Sequence, residues 1–494
     1  MKSYFSAIFV FFISMNFIVV SPKTTLADGR PYKVKEIGSV SWLTPVDDKI
    51  YFLGDTVADG EGLWVSDGTA QNTYEIYHIY GLRRIRNHGD GRIFFTADSD
   101  RDLNTELWVS DGTHDGTVEI KKINTVCQCD SISMGTIVFN NLMFFQGYDG
   151  DHGVEPWRTD GTPEGTVMLK NIHPEGQYNQ GSYACPDFAF NNKLFFHADD
   201  GVHGDELWIS DGTTPGTYLF ADINPGNEDS HSAPLDFISL GDRFLFTAET
   251  DTTGRELWVS KGLVNDSNDG TELLKDIFPG TNDDGEVNSS APHNFVLFNG
   301  KIYFIAATSY NVNDTALTNL ELWATDGTSN GTTKIYGHPD WYGIYAPHEL
   351  TVVDDKLFFV AGDQEHQVEL WVTDGTEAGT HLVKDIMPGR KNGFYNYPYS
   401  LTKVGDLLYF SADDGQHGLE LWKSDGSENG TVMVQDLVPG EESSRPDEFV
   451  VTPTHLFFRI NAMELWAIDR TVPTPSQGAS FWNLFLPAIL SGAR

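Results

Sequence analysis

Four oxygen-bearing side chains alternate along one short segment and could bind a cation. They are Asp98, Asp100, Asp102 and Asn104. Alternating carboxylate and amide oxygens at this spacing begin many calcium-binding loops. Such loops continue with glycine at the sixth position and an acid at the twelfth, where this chain has Leu103 and Val109. The segment therefore predicts a weak calcium site, with a solvated acidic loop as the alternative, and Ca2+ is the only cofactor that the sequence suggests.

A glutamate that precedes Leu-Trp could act as a general acid, as at Glu206 and Glu420. The same glutamate occurs in eight of nine copies of a recurring segment, whereas a ring of repeats normally carries one active site. Glutamate and tryptophan are two positions apart and so share one face of a strand. We therefore expect a structural pair, within or between repeats, with lysines of the segments that follow, and no catalytic residue. These lysines are Lys170, Lys275, Lys334 and Lys384.

Other chemistry-bearing residues give weaker signals. His152, His203 and His417 stand in loops of the form Asp-Gly-x-His-Gly on different repeats, and would bind a metal only if those loops converged. The sequence has no Gly-rich phosphate loop, no Gly-x-Ser-x-Gly segment and no His-Glu-x-x-His segment. These patterns favour a binding or structural function, and an enzyme of the lyase or glycosidase type built on the loops is the alternative.

The candidates sit on a repeat whose best copies read Glu-Leu-Trp-x-Ser-Asp-Gly-Thr, as at residues 206–213. Its tryptophans are 44 to 65 residues apart, and a period near fifty is typical of repeat architectures. We expect these tryptophans to pack between repeats. They are Trp64, Trp108, Trp157, Trp208, Trp258, Trp323, Trp371, Trp422 and Trp466.

Each repeat contains four short runs rich in β-branched and aromatic residues and bounded by turn residues. In the fifth repeat the runs cover 236–240, 243–247, 256–259 and 272–277. Two-residue turns such as Asn191-Asn192 join the first two runs and suit the positive φ that tight hairpins require. Four antiparallel strands with apolar residues on both faces predict the blade of a β-propeller, so we expect an all-β fold.

The two ends of the repeat region predict a single closed ring of about nine blades. Residues 32–37 form a strand that no repeat precedes, while the last repeat has strands at 449–451, 455–460 and 464–468 but no fourth. The N-terminal strand can therefore complete the last blade and remove two exposed edges. Eight blades or two smaller rings are the alternatives, because propellers commonly have four to eight blades.

The repeated Glu-Leu-Trp-x-x-Asp-Gly-Thr segment resembles that of the bacterial ELWxxDGT-repeat proteins over about residues 45–470. The resemblance implies an exported, often cell-surface protein with β-propeller repeats, and it implies no established enzyme activity. Copies in this chain depart from the pattern at Gly62, Pro156 and Lys261-Gly262, which puts local turns in doubt more than the fold.

Composition divides the chain into three regions. Residues 1–27 are predicted to be a secretory signal peptide, because Lys2 precedes an apolar run at 4–20 and a small-residue cleavage site. Residues 28–470 carry the propeller, and 471–494 form a Pro/Thr linker and a short apolar tail. An uncleaved N-terminal anchor is the alternative for the first region. For the tail, surface sorting and docking on the propeller both stay open, since it is too short to span a membrane.

The charge of the chain limits its partners. Removing the two lysines of residues 1–27 leaves 32 minus 2, or 30, basic residues against 71 acidic ones, a net charge of −41. Such a surface repels nucleic acid and anionic membranes. We therefore expect a secreted or cell-surface monomer without a membrane span after signal cleavage. Its partner would be an unknown extracellular ligand, either a protein or a carbohydrate.

Three cysteines are too few for a disulfide framework. One disulfide between neighbouring repeats is open, with Cys185 pairing with Cys127 or Cys129 and one thiol left over. A zinc site is not expected from this incomplete ligand set.

Overall fold

The computed structural model contains nine four-stranded antiparallel sheets, eight of them built from strands that follow one another along the chain, whereas the ninth combines the first strand with the last three. Because every sheet packs against two neighbours, the sheets form the blades of one nine-bladed propeller, as the repeat predicts. The structure describes residues 29–56, 60–99, 101, 106–123, 136–148, 151–174, 181–186, 188–226, 229–263, 270–282, 285–310, 317–338, 345–363, 365–389 and 397–470. The predicted signal peptide and C-terminal tail lie outside these ranges.

The strands of the first half of the ring are short, and most begin or end at the predicted turns. The first strand and blades 1 to 4 contain β1 Tyr32–Glu36; β2 Ser39–Val46, β3 Lys49–Thr56, β4 Gly60–Ser66, β5 Tyr74–His78; β6 Arg83–Asn87, β7 Ile93–Ala97, β8 Glu106–Ser110, β9 Val118–Lys121; β10 Ile137–Phe139, β11 Leu142–Tyr148, β12 Val154–Thr159, β13 Val167–Met168; and β14 Phe188–Phe190, β15 Lys193–Asp199, β16 Asp205–Ser210, β17 Tyr218–Ala221.

The second half repeats the same plan with longer strands in blade 6. Blades 5 to 9 contain β18 Leu235–Leu240, β19 Arg243–Thr250, β20 Gly254–Ser260, β21 Glu272–Lys275; β22 His293–Phe298, β23 Lys301–Tyr310, β24 Leu317–Thr325, β25 Thr333–Gly337; β26 His348–Val353, β27 Lys356–Asp363, β28 Gln367–Thr373, β29 His381–Lys384; β30 Tyr399–Val404, β31 Leu407–Asp413, β32 Leu419–Ser424, β33 Val432–Gln435; and β34 Asp447–Val451, β35 His455–Ile460, β36 Glu464–Asp469.

The ring closes as the sequence predicts, because β1 pairs with β36 and supplies the fourth strand of blade 9. Val34 and Ile37 are buried in a core shared by blades 9 and 1. Gly38 then takes a φ of 106°, and a Cβ there would meet a backbone oxygen at 2.6 Å, so only glycine suits this step into blade 1. Closure therefore joins the two ends of the ring without a covalent bond.

The hydrophobic core lies between blades rather than within them. At one seam, Phe358 and Leu370 of blade 7 pack with Phe410 and Trp422 of blade 8. The tryptophan of a blade thus contacts the blade before it, and the same relation places Trp108 with Leu63 at the first seam. At these seams the tryptophan ring packs against the preceding blade, which removes a large apolar area from water.

Lysines reinforce these seams in a way that the sequence did not predict. At five seams the lysine amine lies over the tryptophan ring of the next blade, 5.1 to 5.9 Å from its centroid, and donates to a threonine carbonyl beyond it. These pairs are Lys35–Trp64, Lys121–Trp157, Lys170–Trp208, Lys275–Trp323 and Lys384–Trp422. We call this contact the lysine clasp. It combines a cation–π interaction with a charged hydrogen bond.

The predicted Glu–Lys pair is present at Glu321 and Lys334, whose charged atoms are 2.9 Å apart. At Lys170, Lys275 and Lys384 the partner differs from the predicted glutamate, because each amine donates across the seam to a threonine carbonyl of the next blade. The repeated glutamates are instead satisfied by backbone and hydroxyl donors, as described below. Charge spacing along one strand therefore did not reveal the partner of these lysines.

The Ser-Asp-Gly-Thr segments form the predicted turns, each capped by its own aspartate. In blade 4 the Asp211 carboxylate accepts from the Thr213 amide at 3.0 Å and from its hydroxyl at 2.7 Å, while Ser210 and Thr217 hydroxyls bond at 2.7 Å. These donors hold the pKa of Asp211 below its usual range. Where Lys261-Gly262 replaces Asp-Gly, the Ser260 hydroxyl still accepts from the Gly262 amide at 3.0 Å, so part of the turn is kept.

Cys185 is buried and disulfide-bonded, as the sequence suggested, and the other two cysteines of the chain, Cys127 and Cys129, lie outside the described residues. No helical segment in the described part of the chain has the length and apolar character of a bilayer span.

Candidate ligand site at the channel

The first strand of each blade is the innermost, and these strands surround the central channel. First strands of neighbouring blades lie side by side, as β2 with β6 and β26 with β30 do. Hydrogen bonds join some of them, such as the one from the Thr351 hydroxyl to the Leu401 carbonyl at 3.4 Å. Each first strand has a partner within its own sheet on one side only, so its free edge faces the channel.

Antiparallel pairing gives the ring two different ends. One end, here called the turn face, carries the two-residue turns and the Ser-Asp-Gly-Thr turns. The other, the linker face, carries the connections between blades and those between second and third strands. First strands begin at the linker face, so their first residues form the mouth of the channel at that end.

The repeated glutamates lie at the linker face and tie each blade to the linker that follows it. Glu256 accepts from the Ile277 amide at 2.8 Å, from the Ser290 amide at 2.8 Å and from the Ser290 hydroxyl at 2.6 Å. The same arrangement joins Glu206 to Ser232, with a hydroxyl contact of 2.6 Å. These contacts assign the repeated glutamate a structural role, which we call the glutamate staple.

Other blades repeat or replace the staple. Glu155 and Glu420 bind a linker serine hydroxyl at 2.7 Å in the same way. In blade 1, where Gly62 replaces the repeated glutamate, the neighbouring Glu61 accepts from the Gly81 amide at 2.8 Å. The linker is thus held by a carboxylate even where the motif departs.

Burial raises the pKa of Glu206 and Glu256 to about 7 and that of Glu369 to about 8. The donors that surround each carboxylate favour its charged form and oppose the shift, whereas nearby carboxylates such as Asp276 add to it. A folded-state pKa above the unfolded value stabilises the protein while the group is protonated, and that stabilisation is lost as pH rises through the folded pKa.

We therefore expect the free energy of unfolding to fall as pH rises from 5 to 8, which denaturant titrations at several pH values would measure. Repulsion within the acidic surface acts in the same direction, so the comparison that isolates the staples is a variant. Glu256→Gln cannot titrate and should make the pH profile shallower. Glu272→Gln, on an exposed residue of the same blade, should not. An equal slope in all three proteins would contradict this prediction.

A second feature of the linker face is a β-bulge in each first strand that the structure describes through this position. One bulge residue in each has a positive φ between 49° and 61°. The register shifts there in β2, β6, β18, β22, β26, β30 and β34. We call these residues the bulge ring. They are Trp42, Arg84, Asp236, Asn294, Glu349, Ser400 and Glu448.

The bulge ring combines a fixed backbone with varied side chains. Positive φ is unfavourable for bulky side chains such as Trp42 and Arg84, so the surrounding fold must impose it. Bulges redirect a side chain and often lie next to functional sites. Trp42 is 40% exposed, although large aromatic residues are usually buried. On the seven blades where the structure describes it, the ring therefore presents varied chemistry at one level of the channel mouth.

Two members of the bulge ring bind the next blade. Glu349 accepts from the Leu401 amide at 2.8 Å, and Glu448 accepts from the Leu43 amide at 3.2 Å. Glu448 also lies 3.0 Å from the Arg459 guanidinium, which bonds the Asp447 carboxylate as well. These two glutamates therefore serve the contacts between first strands, including the seam that closes the ring.

A cluster of charged side chains lies between blades 5 and 6. Asp236 is exposed on its strand, yet desolvation by the surrounding protein raises its pKa, and the nearby His293 and Arg255 oppose that rise. The Nδ1 of His293 is 2.9 Å from the Ala291 carbonyl and donates its proton there, so that in the neutral tautomer Nε2 is the accepting nitrogen. Such a carboxyl beside an imidazole can exchange protons with a bound molecule.

Of the four predicted calcium-binding residues, Asp98 lies within the described part of the chain. Asp98 is buried, and its backbone amide donates to the Tyr80 carbonyl at 3.0 Å. Asp100, Asp102 and Asn104 lie outside the described residues. Within the described ranges, no three His, Cys, Asp or Glu side chains are placed to hold a metal ion. Calcium binding by this loop stays a prediction.

The loop histidines bind locally. The Nδ1 of His203 lies 2.8 Å from its own loop aspartate Asp200, and His417 is placed in the same way against Asp414. These aspartates raise the pKa of both histidines. Each histidine thus forms part of its own loop.

Comparisons with known proteins add no family. No family model matches the chain, and no curated protein does. Solved structures that it resembles include a prolyl endopeptidase, at 11% identity and a TM-score of 0.40, with 77% of this chain and 55% of that one covered. For an acylaminoacyl peptidase from Pyrococcus horikoshii the identity is 11% and the TM-score 0.36, with 87% of this chain and 57% of that one covered. For BamB from Moraxella catarrhalis the identity is 8% and the TM-score 0.38, with 90% of this chain and 100% of that one covered. This chain thus spans little more than half the length of the two peptidases.

Proposed function

We propose that this chain is an exported or cell-surface propeller that binds an extracellular ligand, a protein or a carbohydrate, at the linker-face mouth of its channel. One observation carries the proposal. The repeated residues serve packing, turns and staples, whereas the bulge ring places an indole, a guanidinium, an amide, a hydroxyl and carboxylates at one level of the mouth. Varied polar and aromatic groups on a rigid scaffold are what selective binding requires.

The contacts of the bulge ring favour binding over catalysis. Glu349 and Glu448 each accept an amide of the next blade, which leaves them bound to the scaffold. An enzyme of the lyase or glycosidase type is the second candidate, and Asp236 with His293 and Arg255 favours it, because these groups could exchange protons with a substrate.

An array of bacterial and plant oligosaccharides and of extracellular peptides would test the proposal with the purified protein. We expect Trp42→Ala to weaken binding of an array ligand by about tenfold or more, since losing one central aromatic contact commonly costs that much. Tyr218→Ala, on the outermost strand of blade 4 and 39% exposed, is the matched control and should leave the affinity within about twofold.

Asp236→Asn separates the two candidate functions. If Asp236→Asn abolished turnover of a substrate and left its affinity unchanged, the protein would be an enzyme rather than a binding protein. If neither Trp42→Ala nor Asp236→Asn changed the affinity of a bound ligand, the mouth would not be its site.

A further inference from the structure

Arginine is concentrated in one blade of this acidic protein. Five of the 14 arginines of the chain lie within residues 83–101, although the chain has a net charge of −39. They are Arg83, Arg84, Arg86, Arg92 and Arg101. The Arg86 Nε donates to the Thr136 hydroxyl at 3.0 Å, and the Arg92 guanidinium lies 2.8 Å from the Asp90 carboxylate. The other three lie at the linker-face end of blade 2.

These three arginines lie beside two exposed aromatic residues. The first strands β2 and β6 are joined by a hydrogen bond from the Thr44 hydroxyl to the Ile85 carbonyl at 3.3 Å. Their bulges are therefore neighbours, with Trp42 on one and Arg84 on the other. Arg83 precedes Arg84 and is exposed. An indole and guanidinium groups thus share one sector of the channel mouth.

Tyr80 and Arg101 extend this sector outward. The Arg101 guanidinium lies over the Tyr80 ring, 4.8 Å from its centroid, and Tyr80 is 46% exposed. Stacking on the ring orients the guanidinium plane and lowers the entropy that a new hydrogen bond would cost. We call Trp42, Tyr80, Arg83, Arg84 and Arg101 the arginine–aromatic patch.

We infer that the arginine–aromatic patch binds a short acidic peptide segment of a protein partner. This inference rests on the proposed function and names the ligand class for one sector of that mouth. Guanidinium groups pair with carboxylates through two parallel hydrogen bonds, and clusters of arginines recognise acidic peptide motifs. Tryptophan, tyrosine and arginine are also the residues that dominate binding energy at protein interfaces.

The net charge of the whole protein favours a short acidic peptide over a long anionic polymer as the ligand of the patch. A surface with a net charge of −39 repels nucleic acid and polyuronic chains, whose many charges extend beyond the patch. A peptide with two or three acidic residues can place all of its charge on the arginines. The free edges of β2 and β6 also offer backbone hydrogen-bonding groups to an extended peptide.

Fluorescence polarisation with labelled peptides of about nine residues, carrying two or three glutamates in varied positions, would test this inference on the intact protein. We expect a subset to bind, and glutamine at the same positions to abolish binding. The double change Arg83→Ser and Arg101→Ser should weaken the best peptide by about tenfold or more. Arg243→Ser, on the turn face, is the matched control and should leave it within about twofold.

Several results would overturn the inference. One is that no acidic peptide binds the folded protein, and another is that Arg243→Ser weakens binding as much as the patch variant does. Binding of tetragalacturonate, but of no peptide, with the same arginine dependence would assign the patch to anionic carbohydrate instead. If Trp42→Ala removes an array ligand while the arginine variant does not, the proposed function stands and this inference fails. If neither Trp42→Ala nor the arginine variant weakens binding of any ligand, both the proposed function and this inference fail.

Discussion

Removal of residues 29–37 is expected to cost at least about 4 kcal/mol of unfolding free energy. The truncation deletes β1 and, with it, Val34 and Ile37 from the core between blades 9 and 1. Burying two such side chains contributes roughly 3 to 6 kcal/mol, and each lost strand hydrogen bond adds about 1 kcal/mol. Denaturant titration of the truncated and intact proteins, monitored by tryptophan fluorescence, measures the difference.

Point variants separate the contribution of the buried side chains of β1 to the unfolding free energy from that of its exposed side chains. Val34→Asp places a charge in the core and should approach the effect of truncation. Lys33→Ala removes an exposed ion pair with Glu464 and should cost less than about 1 kcal/mol. A peptide of residues 29–38 added to the truncated protein should restore part of the stability. If the truncated and intact proteins unfold at the same denaturant concentration, β1 does not close the ring.

Glu256→Ala is expected to cost about 3 kcal/mol or more, a larger effect than that of any exposed substitution on the same blade. The change leaves the Ile277 amide, the Ser290 amide and the Ser290 hydroxyl without their acceptor in a buried place. Each buried donor left unsatisfied costs about 1 to 3 kcal/mol. Denaturant titration gives the change in unfolding free energy.

Two comparisons show whether the staple itself causes this loss. Ser290→Ala removes one donor and leaves the carboxylate with two amides, so it should cost about 1 kcal/mol. Glu272→Ala, on the exposed face of β21, should cost less than about 0.5 kcal/mol. Comparable losses for Glu256→Ala and Glu272→Ala would mean that the buried contacts add nothing to the stability of the seam.

Much of the fold could be predicted because the same strand and turn pattern recurs in nine repeats of the sequence. The spacing of the tryptophans and the orphan strand at 32–37 predicted closure and about nine blades, with eight blades or two rings left open, and the structure has nine. Strand ends were less exact. The sequence predicted the fourth strand of blade 5 to reach Ile277, whereas β21 ends at Lys275, since the Ile277 amide turns to Glu256 instead of continuing the ladder.

Contacts across seams could not be predicted from one strand at a time. The lysine of a fourth strand and the glutamate of its own third strand suggested a pair, yet Lys275 reaches Trp323 of the next blade. At two other seams Tyr77 and Tyr336 lie beside the tryptophan in the same register as the lysine. Sequence spacing fixes the face of a strand, but the partner depends on how far neighbouring blades are rotated.

The bulge ring was not predicted at all. A bulge shifts the side-chain alternation by one residue, and a strand of five to eight residues is too short for that shift to stand out. Asp236 and Asn294 are types that tolerate positive φ, but Trp42, Arg84 and Glu448 are not. Only the three-dimensional comparison of the first strands places these residues at one level.

The pairing of β1 with β36 also sets the order in which the molecule can be built. The Tyr32 hydroxyl bonds the Asp469 carboxylate across 437 positions of the chain, so β1, which is synthesised before the other described strands, is among the last to find its partner. Contacts of such long range are slow to form. Until β36 emerges, a growing chain has an open crescent of blades with two unsatisfied strand edges. Interrupted synthesis would therefore yield species prone to pair with one another, whereas the finished ring exposes neither edge.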